Sequence, residues 1–363
     1  MSRILVIRFG ALGDLCLLTW SLAKFARHHS GDGGHRVTLV TKAAYADLMR
    51  HATGIESVIP LPGPRLSDLL RLARILRPSR FDQVIDAHHN LRSILLLTML
   101  GRRPTQRLAK DTSSRLSLLF LRRRTRKLHR TMRDRFDTLF QPAPSGQSGG
   151  TVGTNQIVTP HPLARLTPVT NEPIDLSSGQ TAAAPVLGLA PGARWDTKRW
   201  PAEYFARFLQ EFRKVSSAPV RLFLGPQERA WFADSDLART ASGLNAVEIC
   251  QEQDLIRTAT ALAGCSSLLT NDTGLLHLAE AVGVPVLALF GPTVRDFGYF
   301  PHLPQSLVLQ RELDCRPCSR NGKRPCWRLD QACLQEISPL TVLATLSRMA
   351  PWSEFLPKVV HRG

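Results

Sequence analysis

Short apolar runs recur along the whole chain, separated by stretches in which apolar residues return every three or four positions. This alternation constrains the fold more than any other feature. Runs rich in Val, Ile and Leu suit strands covered on both faces, and the stretches between them suit helices that do the covering. In the first half the spacing predicts strands at Arg3–Arg8, Val37–Thr41, Ser57–Leu61, Phe81–Ala87 and Gln106–Ala109. Helices are expected at Leu15–Arg27, Ala43–His51 and Leu66–Leu76. The second half repeats the pattern, with strands at Val186–Ala190, Val220–Leu224, Ala246–Cys250, Leu268–Asn271, Val286–Phe290 and Leu307–Leu309. Its helices are expected at Ala202–Val215, Glu228–Ala241, Asp254–Ala263 and Leu275–Val282, with Ser338-Pro339 opening a last one. Strand–helix alternation means α/β architecture with doubly wound parallel sheets. At 363 residues, two such domains are expected. The reading assigns 1–180 to an N-terminal domain, 186–337 to a C-terminal domain and 338–363 to a helix and tail. The Pro-, Gly- and Ser-rich stretch 142–185 reads as a flexible linker or insertion.

Doubly wound sheets bind ligands at the carboxyl ends of their strands, so the loops there are the candidates. Thr270-Asn271-Asp272-Thr273-Gly274-Leu275-Leu276-His277 joins a strand to a helix. Asp272 or Thr273 can cap that helix, and His277 lies one turn beyond Thr273 on the same face. A helix start with free N–H groups, a hydroxyl and an imidazole suits an anion, although a lone helix histidine is commonly structural. Gly10-x-x-Gly13-Asp14 is a second such loop. It lacks the third glycine of the dinucleotide fingerprint, and no acidic ribose partner follows, which argues against a nicotinamide oxidoreductase. From spacing alone Asp14 reads first as a helix cap worth about 1 kcal/mol, with a general base as the other reading. Thr197 and Lys198, after the first strand of the second half, suit a diphosphate or are merely a basic surface loop. Glu228, after Gly225, suits ribose hydroxyls or a helix dipole. Asp234-Ser235-Asp236 reads as surface within a helix.

Basic residues number 47 against 29 acidic ones, a net charge of +18. Residues 102–135 hold thirteen Lys or Arg against Asp111 and Asp134, which points to an anionic partner. Phe120 is the only exposed-type aromatic among the leucines of 116–121, so the aromatic interleaving of nucleic-acid modules is missing and no nucleic acid is expected. No apolar run approaches a membrane span, and the start leads directly into a strand, so no signal peptide is read and a cytoplasmic location is expected. Four of seven cysteines, Cys315, Cys318, Cys326 and Cys333, fall within nineteen residues. In a reducing compartment this spacing suggests a structural metal clamp, with reduced thiols or a regulatory disulfide as alternatives. The arginines nearby are expected to favour thiolates.

These loops together resemble glycosyltransferase family 9, the ADP-heptose:lipopolysaccharide heptosyltransferases. The resemblance spans 1 to about 345 and rests on Arg8-Phe9-Gly10-Ala11-Leu12-Gly13-Asp14-Leu15, Asn90-Leu91-Arg92-Ser93, Lys198-Arg199-Trp200-Pro201, Asn271 to Ala279, and Phe290-Gly291-Pro292-Thr293. It implies a GT-B fold, two Rossmann-like domains facing a central cleft. It implies inverting transfer of heptose from ADP-heptose to a hydroxyl of the lipid A–core acceptor, on the inner face of the inner membrane. By similarity Asp14 is the base, a role that overrides the cap. Thr197, Lys198, Glu228, Asp272, Thr273, Gly274 and His277 line the donor site, and Gly10, Gly13, Asn90 and Arg92 the acceptor site. No cofactor is required for catalysis, and zinc or iron at Cys315, Cys318, Cys326 and Cys333 is a structural expectation only. Where relatives usually carry glycine near Asn90, this chain reads Asp86-Ala87-His88-His89. The 102–135 segment then has a destination, the anionic membrane surface. Another glycan or a protein hydroxyl as acceptor is the alternative on the same fold, and a basic nucleic-acid-binding protein is the alternative from another class.

Overall fold

The computed structural model describes residues 1–29, 34–123, 125–141, 161–166 and 184–357. Most of the expected 142–185 linker lies outside the described residues, as do the last six residues of the tail. The chain divides into two compact units. The first takes Met1–Thr112 with Arg126–Arg165, and the second takes Ser113–Thr125 with Leu166–Gly363.

The first unit is built from β1 (Ser2–Ile7), α1 (Leu12–His28), β2 (His35–Lys42), α2 (Ala43–Arg50), β3 (Ser57–Leu61), α3 (Leu66–Leu76), β4 (Gln83–Asp86), α4 (Leu91–Met99) and β5 (Gln106–Arg107). Its sheet is parallel, in the order β3-β2-β1-β4-β5. Ile4 to Ile7 of β1 are buried because helices cover both faces of the strand. One core joins Leu5, Ile7 and Phe9 to Leu69, Leu72 and Leu76 of α3 and to Leu96 and Leu97 of α4. α3 and α4 therefore share one side of the sheet. The order reverses between β1 and β4, and that switch point is where a doubly wound sheet opens for ligand.

After β5 come α5 (Thr112–Leu121) and α6 (Met132–Asp137). The sequence reading had no helices in this region and none at 91–99. α4 is apolar nearly all round, so it shows no clean 3.6-residue stripe; its start is set by Asn90, whose Oδ1 accepts from Ser93 N at 2.9 Å. α6 is too short to show a period and packs on α1, where Ser21 Oγ donates to Asp137 Oδ1 at 2.5 Å. The sequence reading also put all of 1–180 in one domain. Residues 113–125 instead belong to the second unit, where Arg115 Nη2 donates to Phe297 O at 3.1 Å and Arg122 Nη1 to Pro317 O at 2.7 Å.

The second unit runs β6 (Leu187–Ala190), α7 (Ala202–Val215), β7 (Val220–Phe223), α8 (Arg229–Ala233), α9 (Asp236–Gly243), β8 (Val247–Cys250), α10 (Leu255–Ala263), β9 (Ser267–Asn271), α11 (Gly274–Ala281), β10 (Val286–Phe290), β11 (Leu307–Gln310), α12 (Ala332–Gln335), α13 (Pro339–Leu346) and α14 (Trp352–Phe355). The parallel sheet has the order β11-β10-β9-β6-β7-β8, with its switch point between β9 and β6. The single helix expected at Glu228–Ala241 is two. It breaks at Asp234-Ser235, where Ser235 Oγ accepts from Ala238 N at 3.2 Å and starts α9 afresh. α13 closes on α7 within one core that holds Trp200 and Trp352 fully buried. Both indoles find acceptors, Trp200 Nε1 on Ile337 O at 2.9 Å and Trp352 Nε1 on Ser267 Oγ at 2.7 Å. Among the described residues no helix is long and apolar enough to cross a membrane.

Candidate active site

The carboxyl ends of four neighbouring strands in the second unit carry one continuous polar group of side chains. Asn271 ends β9 and is buried. Its Nδ2 donates to Pro191 O at 2.8 Å and its Oδ1 accepts from Trp200 N at 3.0 Å. One amide thus locks the β6 loop to the end of β9, across the switch point. That lock fixes Lys198, whose Nζ meets Asp272 Oδ2 at 2.5 Å. The same oxygen accepts from Thr293 Oγ1 at 2.6 Å, on the loop after β10. Thr273, not Asp272, caps α11, with Oγ1 accepting from Leu275 N at 3.2 Å. This division of labour frees the Asp272 carboxylate for Lys198. Gly274 is the first residue of α11, and His277 lies one turn on, buried, with its ring 6.2 Å from that of Tyr299.

Lys198 is held from the other side as well. Its stem lies on Gly322, where a Cβ would sit 2.8 Å from Lys198 Cγ, and Gly322 has φ +87°. Thr197 Oγ1 donates to Gly322 O, so its hydroxyl serves that loop. Glu228 stands one strand further along. Its carboxylate covers two glycines, since a Cβ on Gly192 or Gly225 would come within 2.5 or 2.4 Å of it. Two strand-end loops without side chains let an acid lie flat against backbone.

In the first unit the switch point holds a second cluster. Asp14 is the third residue of α1 rather than a cap. The helix starts three residues earlier than the apolar pattern indicates, and Asp14 Oδ2 accepts from Ala11 N at 3.4 Å. The same oxygen pairs with Arg8 Nη2 at 2.5 Å, both side chains being largely buried. Arg8 is fixed in turn by Ala87 O at 2.6 Å and by the Phe136 ring. Gly10 has φ +146°, and a Cβ there would meet Tyr45 at 2.9 Å. Asp86, fully buried at the end of β4, accepts from His89 N at 2.7 Å, His88 N at 3.2 Å and Ser93 Oγ at 3.1 Å. Burial, reinforced by the Arg8 charge, pushes His88 down to about 4 despite the nearby carboxylates. The imidazole is therefore neutral near pH 7. Asn90 and Arg92 have structural partners here, Ser93 N and Pro64 O. Gly13 is buried in the first turn of α1.

A model of glycosyltransferase family 9 (heptosyltransferase) matches residues 69–326. The chain belongs to this family. The lipopolysaccharide heptosyltransferase 1 of Pseudomonas aeruginosa strain PAO1 is 29% identical over 337 residues, 87% of this chain and 86% of that protein. The lipopolysaccharide heptosyltransferase 1 of Escherichia coli K12 is 25% identical over 80% of this chain and 88% of its own length. Among solved structures, E. coli ADP-heptose LPS heptosyltransferase II aligns over 97% of this chain and 99% of that one, with a TM-score of 0.66 at 19% identity. E. coli heptosyltransferase WaaC with ADP covers 84% of this chain and 92% of its own, with a TM-score of 0.63 at 22% identity. This family-9 glycosyltransferase thus has the GT-B fold of two parallel-sheet domains.

Two groups of residues singled out in the sequence have surroundings that spacing does not show. Cys315, Cys318, Cys326 and Cys333 are free thiols, and among the described residues no three His, Cys, Asp or Glu side chains come together to hold a metal. Cys333 is drawn into the hydrophobic core beside Leu334 and Ile337. The arginines nearby do not acidify Cys318 or Cys333. Burial pushes Cys333 up to about 12 and also raises Cys318, outweighing Arg316 and Arg122 respectively. Arg316 instead turns inward, donating from Nε to Gly291 O at 2.5 Å and from Nη2 to Thr293 O at 2.9 Å. It thereby braces the loop that carries Thr293.

The basic residues of 102–135 have differing surroundings. Arg135 is buried against Asp111 at 3.1 Å, and Arg115 and Arg122 serve backbone carbonyls of the second unit. Sequence reasoning missed Arg8, Thr293 and Arg316 as working parts of the clusters. Thr293 stands at a strand end in a motif already noted, a signal that position alone offered. Arg316 offered none, because the carbonyls it braces in the Thr293 loop lie 25 and 23 residues away.

Proposed function

We propose that this glycosyltransferase moves a heptose from ADP-heptose to a hydroxyl of the lipopolysaccharide inner core, with inversion at the anomeric carbon. The observation that carries the donor half is the Lys198–Asp272–Thr293 group beside the start of α11. A nucleoside diphosphate presents its charge to Lys198 and to the helix N-terminus. Together they stabilise ADP as it departs, so no divalent ion is required in this scheme. Asp272 holds the ammonium in place until the diphosphate arrives and shares it. Glu228, flat on Gly192 and Gly225, receives the ribose hydroxyls. Thr197, Thr273, Gly274 and His277 complete the donor pocket in this reading.

Asp14 is the proposed general base. Its carboxylate is oriented twice, by Arg8 and by the Ala11 amide, which leaves it a fixed direction in which to take a proton. It takes the acceptor proton as the hydroxyl oxygen displaces ADP from the opposite face of the anomeric carbon, and that single displacement gives inversion. Gly10, Gly13, Asn90, Arg92 and His88, on the loops after β1 and β4, are the proposed acceptor contacts. The relatives' names supply lipopolysaccharide as acceptor class. A cytoplasmic setting accords with seven free cysteines. The test is incubation with a panel of nucleotide sugars, reading released nucleotide. ADP release that needs both ADP-heptose and a heptose-deficient lipopolysaccharide acceptor is the expected result. Release of UDP or GDP instead, or transfer only to another glycan or a protein, overturns the assignment.

A further inference from the structure

Glu280 is a buried carboxylate that the transfer chemistry does not use. It is the last residue but one of α11, at the carboxyl end of the helix dipole. Burial and the dipole both disfavour a negative charge there. Three donors offset that cost. His302 N donates to Oε1 at 2.8 Å and to Oε2 at 3.0 Å, Leu303 N donates to Oε1 at 2.8 Å, and Ser306 Oγ donates to Oε1 at 2.9 Å. All three belong to the loop between β10 and β11. The loop is anchored at its other end by Arg316, through Gly291 O and Thr293 O. Between the anchors stands Tyr299, half-buried, with the Arg115 guanidinium 5.7 Å from its ring centre and the His277 ring 6.2 Å away. Successive turns of α11 thus carry Gly274 at the helix start, His277 beside Tyr299, and Glu280 at the end of the loop. One helix fixes the loop against the donor pocket.

Strand order decides which part of the donor meets this loop. Glu228 follows β7, Lys198 follows β6, Asp272 and Gly274 follow β9, and Tyr299 follows β10. These strands are neighbours in the order β10-β9-β6-β7. A donor with its ribose at Glu228 and its diphosphate between Lys198 and the start of α11 runs along this edge toward β10. The sugar beyond the diphosphate then lies at the β10–β11 loop. An aromatic ring offers a flat apolar surface to the C–H face of a sugar, and a tyrosine adds a polar tip.

We infer that Tyr299 contacts the transferred sugar and that Glu280 is the positioning residue that holds it there, an inference that rests on the donor reading above. Binding of ADP and of ADP-heptose to the full-length protein is measured by calorimetry without acceptor. Y299A is expected to weaken ADP-heptose roughly fivefold to tenfold while ADP stays within about twofold of the parent. Y299F keeps the ring and stays within about threefold for both ligands. E280A releases the far end of the loop and weakens ADP-heptose about as much as Y299A does, again sparing ADP. In E280A/Y299A the two losses do not add, because Glu280 acts through Tyr299. E280Q keeps an oxygen for all three donors and binds both ligands like the parent. Should E280A not fold, S306A removes one of the three anchors and gives the same split at smaller size. Parental affinity of Y299A for ADP-heptose overturns the sugar contact. Equal losses of ADP and ADP-heptose in E280A, additive losses in the double variant, or an S306A that binds like the parent overturns the positioning role. If the parent itself binds UDP-glucose more tightly than ADP-heptose, the donor reading falls and takes this inference with it.

Discussion

Replacing Lys198 by methionine keeps the aliphatic stem over Gly322 and deletes one charge. In the parent, Asp272 is 9% exposed and Lys198 13% exposed, with 2.5 Å between Nζ and Oδ2. After the change the carboxylate keeps only the Thr293 hydroxyl. Breaking a buried pair by removing one partner costs about 3–5 kcal/mol. The surviving hydrogen bond to a charged group offsets on the order of 1.5 kcal/mol. A net loss of about 2–3 kcal/mol is expected for K198M, read as a lowered urea midpoint at unchanged slope, with Trp200 fluorescence as the probe. D272N in the same background removes the stranded charge, so K198M/D272N regains most of the loss, with a coupling energy of about 1–3 kcal/mol. ADP affinity behaves differently. K198M weakens it roughly tenfold to a hundredfold, and the double variant stays weak, because no cation remains for the diphosphate. If K198M costs under about 1 kcal/mol, the pair is solvent-like and the burial argument fails. If the double variant binds ADP like the parent, Lys198 is not the phosphate contact.

Other consequences follow from the same geometry. Asp14→Ala removes the base and is expected to abolish transfer while ADP affinity stays within about twofold of the parent, since donor contacts lie in the other unit; measurable turnover removes Asp14 from the mechanism. Gly322→Ala forces a positive φ and a clash with the Lys198 stem, so the KM for the nucleotide sugar rises while the fold persists, at a strain of about 1–2 kcal/mol; an unaltered KM shows that the loop does not position Lys198. His88 titrates near 4 when folded and near 6.5 when unfolded, so the unfolded chain binds the extra proton between these values and stability falls as pH drops through that window. His88→Gln should shrink the difference in melting temperature between pH 7 and pH 5, and an identical difference refutes the burial of that ring. Cys333 shows the opposite sign. Its thiol titrates near 12 when folded against about 9 unfolded, so stability is lost as pH rises from 9, and Cys333→Ser should flatten that decline in alkaline melts.

Much of the site was legible because it is written locally. Asp14, Lys198, Glu228 and Asp272 each lie shortly after an apolar run, at or just before the start of a helix, and a doubly wound sheet puts such positions at its ligand-binding edge. The spans Ser57–Leu61, Leu66–Leu76, Ala202–Val215 and Val286–Phe290 matched to the residue because their periods are uninterrupted. What failed was non-local. The break at Ser235 lay hidden inside a run that reads as one helix. The packing of Cys333 into the core beside Leu334 and Ile337 was not visible in the cysteine spacing either.

Period and composition are short-range properties, so residue order alone determines which segments are strands, which are helices and which loops stand at strand ends. Partnership is different. That Arg8 would orient Asp14, that Thr293 and Lys198 would share one oxygen of Asp272, and that α3 and α4 would bury their leucines in one core depend on sheet order and helix layering. Those contacts join residues 6 to 74 positions apart or set two helices on one side of a sheet, and only the packed core brings such groups to bonding distance.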